Sequence, residues 1–174
     1  MARTSELPET LVVVLGGAVA GTLVRQPNAT LRFEYDEAYQ TNPEATPVSL
    51  SMPLAMRTHQ DGRGQRVVTN FLWGLLPEND AVLARWGRHY QVPISSPYPL
   101  LSTPVGEDCA GGVAFCAPDD LPRLLHRPGH VDWLTDSEVA GRIRELRSDQ
   151  TAWLGRTFTG QFSLAGAQAK TALL

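Results

Sequence analysis

Cysteine, histidine and basic residues are all scarce in this chain of 174 residues, and each scarcity closes off a class of function. The two cysteines, Cys109 and Cys116, have no Cys or His partners at zinc-ligand spacing, so neither a disulfide framework nor a structural zinc site is expected. Both are expected to be reduced and half-buried, which suits a cytoplasmic protein. The four histidines, His59, His89, His126 and His130, are scattered through loops and polar positions without an HExxH pair, and no metal site is expected. Fifteen Lys and Arg face 18 Asp and Glu, a net charge of −3 with no basic block, so no general nucleic-acid surface is expected. Long apolar runs are missing too. The segment Leu11 to Ala20 is too short for a bilayer span, is broken by Gly16-Gly17 and comes after an acidic stretch, so no membrane or export signal is expected.

What remains is a globular composition, 43% hydrophobic and 19% charged, with 13 prolines and 15 glycines that call for many turns and short elements. An irregular α+β mixture is expected, with room for one domain or for one domain and the opening of another. Leu11 to Leu15, Gly16-Gly17 and Ala20 to Arg25 read as a β-hairpin. Thr30 to Tyr35 alternates apolar and charged residues as a third strand. Ala38 to Pro47 reads as a loop, Val48 to Leu54 as a short strand with exposed serines, and Gln60 to Gly64 as a second loop.

Thr69 or Asn70 is placed to cap a short helix carrying Phe71, Leu72, Leu75 and Leu76, and Asn79 a second one whose apolar face is Val82, Leu83 and Trp86. Ser96-Pro97 opens a third helix through Leu101, completing a helical layer over the sheet. Gly111-Gly112 is a tight turn into a strand, Ala117 to Gly129 a surface connector, and Val131 to Leu134 another strand. Thr135 to Glu138 has capping-box spacing, and Val139, Ile143 and Leu146 predict a helix from about Asp136 to Arg147. Gln161 to Leu174 reads as strand, tight loop, strand.

Candidate chemistry is sparse along most of the chain. Cys109 beside Asp108 reads as a small residue packed at a turn, because an adjacent carboxylate raises a thiol's pKa. Glu78 reads as a capping or polar-contact residue. Trp73, Trp86, Trp133 and Trp153 lack interleaved basic residues and read as core. The exception is Ser163-Leu164-Ala165-Gly166-Ala167-Gln168-Ala169-Lys170-Thr171. Its small side chains would let backbone N–H groups converge on an anion near a lysine, although on these residues alone a packed hairpin is the better reading.

Four ordered stretches together carry a resemblance: Ser49-Leu50-Ser51-Met52-Pro53-Leu54, Phe71-Leu72-Trp73-Gly74-Leu75-Leu76-Pro77-Glu78, Gly106-Glu107-Asp108-Cys109-Ala110-Gly111-Gly112-Val113, and Ser163 to Thr171. From about Leu11 to Leu174 the chain resembles the N-terminal part of HipA-like serine/threonine kinases, toxins of bacterial toxin–antitoxin pairs. The resemblance implies an α+β module over residues 1–117. Residues 118–174 would then hold a connector, a capped helix and the phosphate-loop hairpin that begins a kinase N-lobe. It implies autophosphorylation at Ser163 and an ATP phosphate loop formed by Ala165, Gly166, Ala167, Gln168 and Lys170. ATP and Mg2+ would serve the parent kinase, and no tightly bound cofactor is expected on this chain.

The implied partners are a HipB-like helix-turn-helix antitoxin, through which alone DNA would be contacted, and a protein substrate, an aminoacyl-tRNA synthetase in the family. Ala169 stands where members of the family it resembles often carry glutamate or another polar residue. No catalytic or metal-binding aspartate is expected before Leu174, so this chain alone is expected to be inactive. It would be the N-terminal part of a longer kinase or, alternatively, a non-catalytic neutralising module of a split system. Raised mobility is expected from about Gln161 onward.

Overall fold

β-Branched residues and paired turn glycines start the fold. Residues 7–128 and 133–149 are described by the structure, a computed structural model. Strand β1 (Thr10–Leu15) and strand β2 (Ala18–Arg25) form the expected hairpin. Gly16 and Gly17 both take positive φ, +58° and +84°, as a tight two-residue β-turn requires. The register slips between Val13 and Val14, and the bulge brings Gly21 against strand β3 (Leu31–Tyr35). Strand β4 (Thr58–Gln60) and strand β5 (Val113–Cys116) complete an antiparallel sheet in the order β4-β3-β2-β1-β5.

Side-chain alternation then assigns the two faces. Leu11, Val13, Leu23, Leu31, Phe33, Tyr35, Val113 and Phe115 point into one continuous core. That core is closed by α2 (Val67–Trp73), α3 (Asp80–Tyr90) and α4 (Pro97–Leu101), the helical layer anticipated from the sequence. The opposite face carries a much smaller cluster, Val12, Val14 and Cys116, under the half-buried Leu121 and Leu124 of α5 (Leu121–Leu125).

Several local expectations are corrected. Ala38 to Pro47 is not all loop: α1 (Glu37–Thr41) forms there because Asp36 accepts the Tyr39 amide at 3.1 Å as its N-cap. Val48 to Leu54 is not a regular strand but a turn closed by a bridge between Ser49 and Met52, which leaves Leu50 95% exposed. Gln60 belongs to β4 rather than to the loop after it. The Ala117 to Gly129 connector contains a 3-10 turn, Pro118–Asp120, running into α5.

Trp133 is 86% exposed and not core, and Trp133 and Leu134 are not in a strand, while residues 131–132 lie outside the described residues. Asn79 and Ser96-Pro97 start α3 and α4 as read. Thr135 and Glu138 form the full capping box of α6 (Asp136–Ser148), a helix that buries none of its residues.

The cap of α2 is a different residue from those the sequence suggests. Neither Thr69 nor Asn70 caps it; Asp61, buried and several residues upstream, accepts the Val68 amide at 3.0 Å and the Thr69 amide at 3.3 Å. Its second oxygen accepts the Thr69 hydroxyl at 2.5 Å. A sequence window around the helix start cannot show this, because the acceptor arrives from the end of β4. Replacing Asp61 with Ala leaves buried donors unmatched and is expected to cost about 1–3 kcal/mol in urea unfolding. A loss below about 0.5 kcal/mol would show that the cap is not needed.

Candidate functional site

The three upstream motifs of the sequence meet in the core. Met52 of the first, Phe71 and Leu72 of the second, and Phe115, just beyond the third, line one gap with Val13, Leu23, Phe33 and Val68, too tight to admit water. Leu75, Leu76 and Pro77 are likewise buried, whereas Glu78 is exposed beside Asn79, the residue that caps α3. These motifs position a fold rather than a reacting group.

Chemistry-bearing side chains gather around the third motif. Gly106 lies so close to α4 that an added Cβ would sit 2.0 Å from the Leu101 carbonyl oxygen. Gly111, by contrast, has open space but φ of +79°. Between them the Cys109 amide donates to the Val113 carbonyl at 2.9 Å, and its sulfur lies 3.7 Å from the Val105 and Gly106 carbonyl oxygens. Burial, and then the neighbouring Asp108 charge, push the Cys109 thiol up to about 12. It is an inert packed thiol, as its sequence context indicated. Burial also raises the Asp108 pKa, opposed by Arg127.

Glu107 is the most tied-down carboxylate of this region, and its neighbours in the sequence give no sign of that role. Its side chain is 9% exposed and accepts a two-pronged bond from Arg123, at 2.6 and 3.1 Å, with Arg127 at 3.6 Å. The Glu107 hydrogen bonds and charge raise the Arg123 pKa in turn. A partner sixteen residues away on another element leaves no local sequence signal. Among the described residues, no three His, Cys, Asp or Glu side chains are grouped to hold a metal. Ser163, Ala165, Gly166, Ala167, Gln168 and Lys170 lie outside the described residues, as does the mobility expected after Gln161.

An antiparallel sheet with α2, α3 and α4 closing one face and three sequence motifs in its core defines an α+β module. A family model described as the HipA N-terminal domain matches residues 11–116. The chain therefore belongs to the HipA N-terminal domain family. Among the described residues no helix is long and apolar enough to cross a membrane.

Two outcomes test this geometry. Gly106→Ala must move α4 backbone and is expected to lose more than about 2 kcal/mol, while Gly111→Ala meets only φ strain and should lose about 1 kcal/mol; equal losses in urea unfolding would refute the distinction. For Cys109, the folded chain keeps its proton up to about 12, while an ordinary thiol releases it near 9.0. Stability should therefore fall as pH rises from about 9 to about 12, with Tyr90, also pushed up to about 12 by burial, adding to the decline. Cys116, pushed up to about 11 by burial, contributes in the same direction. Cys109→Ala should therefore make that decline shallower between about pH 8 and about pH 10.5 without abolishing it, and an unchanged slope would remove the Cys109 thiol from the explanation.

Proposed function

We propose that this chain is the N-terminal part of a HipA-like serine/threonine protein kinase toxin that phosphorylates a protein substrate. The observation that carries the reading is the family match over residues 11–116, with the Ser163 to Thr171 stretch downstream of it. In that stretch Ala165, Gly166, Ala167 and Gln168 are small or amide-bearing residues suited to backbone contact with phosphate, and Lys170 supplies a positive charge. ATP with Mg2+ would supply the phosphoryl group in the complete kinase. A phosphate on Ser163 would add about two negative charges next to that loop and repel nucleotide phosphates, which makes Ser163 a self-silencing switch.

The partners in this reading are a HipB-like helix-turn-helix antitoxin and the kinase's protein substrate. With a net charge of −3 the chain is poorly suited to DNA, so operator contact falls to the antitoxin.

One observation favours a second reading, a non-catalytic module that acts on a separate kinase: among the described residues, the main core is built from residues between Leu11 and Phe115. Phosphopeptide mass spectrometry separates the claims. The protein joining this chain to its kinase lobe, incubated with ATP and magnesium, is expected to carry phosphate on Ser163, absent from a catalytically dead control. Full substrate phosphorylation with Ser163 unmodified would sink the switch. A chain that restrains a separately encoded kinase in trans would favour the second reading.

A further inference from the structure

The two faces of the sheet are closed by unequal means. One is sealed, among the described residues, by a continuous core that takes in residues of α1 to α4 and of every strand but β4, which contributes instead its buried His59. The other is covered over β1 and β5 by a short strap, Pro118–Asp120 and α5, whose Leu121 and Leu124 rest half-buried on Val12, Val14 and Cys116. Residues on a cluster this small gain little from burial, and segments with few apolar contacts open at lower free energy than the module that bears them.

The polar attachment is one-sided as well. Glu107 is nearly buried, and both cations it meets, Arg123 and Arg127, come from the strap or the residues just after it. Arg123 itself is half-exposed and also touches Asp120 at 3.4 Å. The family match ends at Cys116, two positions before the strap begins at Pro118.

We propose that Pro118–His126 is a strap that opens as a unit while the module stays folded, with Glu107 as its latch through Arg123 and Arg127. Opening rehydrates Glu107 and uncovers the apolar stripe of Val12, Val14, Ala114 and Cys116 along the β5 edge. Because the latch is a charge pair with exposed arginines, salt weakens it. This conformational device is independent of the kinase reading and survives that reading's failure.

The two free cysteines report it, since Cys116 lies beneath the strap and Cys109 lies in the main core on the other face. The whole chain is labelled with N-ethylmaleimide at about pH 8, and each thiol's rate is divided by its rate in the urea-unfolded chain. Cys116 is expected to react at least about tenfold faster than Cys109. Glu107→Gln should speed Cys116 by about a further tenfold and leave Cys109 unchanged, and molar salt should speed Cys116 in the parent but not in the variant. If Glu107→Gln does not fold, Arg123→Gln on the exposed side of the pair gives the same readout. Equal rates for the two thiols, or a substitution that speeds both alike or neither, overturns the proposal.

Discussion

The buried hydroxyl of Tyr35 is the contact on which the rest of the structure depends. Tyr35 ends strand β3, between β2 and the β4 edge, with its side chain 1% exposed, so a hydroxyl there is costly unless it is bonded. It donates to the Met52 carbonyl at 2.6 Å and accepts the Val48 amide at 3.0 Å, holding both ends of a turn that has no ladder of its own. Three neighbours do the same for adjoining carbonyls. The Tyr39 hydroxyl donates to Thr46 at 2.9 Å, the Gln40 side-chain amide donates to Leu54 at 2.6 Å, and His59 places its Nε2 3.1 Å from the Pro53 oxygen. Since a carbonyl only accepts, the donor in that contact is the Nε2–H of His59. The segment is thus fixed by side chains, and Met52 is delivered, fully buried, to the junction of the sheet with α2.

That dependence explains how far the sequence is legible. The β1–β2 hairpin, β3, the Asn79 cap of α3, the Pro97 start of α4 and the Thr135 capping box are written in residues within a few positions of one another, and each is found as read. The elements that differ from their sequence reading depend on a remote partner. Asp61 caps a helix from the end of β4, β4 exists only because Phe33 pairs with His59, and the Val48 to Met52 turn waits on Tyr35. Trp133 differs for another reason: hydrophobicity does not compel burial, and a single exposed aromatic violates no rule.

Of the candidate site, the sequence showed family membership and not geometry. The motifs that mark the family, Met52 with its flanking prolyl turn, Phe71 to Pro77 and Gly106 to Val113, are constrained by close packing and backbone approach. Gly106 is small because the Leu101 carbonyl occupies the space a side chain would need. Such residues identify a fold without performing its chemistry, which is why the phosphate-loop reading of Ser163 to Thr171 draws on the company of these motifs rather than on their contacts.

The physical link between the matched module and the segments after it reflects the same division of labour. Among the described residues the main core draws its apolar side chains from Leu11 to Phe115, and the described segments beyond it are attached by ion pairs and by the small apolar contact of Leu121 and Leu124. Arg123 and Arg127 meet Glu107, and Arg85 on α3 meets Asp149, the C-cap of α6, at 2.7 Å. The Arg85–Asp149 pair is close to half exposed on both sides and so is worth about 0–1 kcal/mol, whereas Glu107 is nearly buried and depends on its arginines far more strongly. The two contacts differ in kind: one only biases where α6 lies, and the other decides whether the strap is closed. Glu107 is thus the residue through which the matched module holds the strap most firmly, while α6 is held to it by an exposed pair.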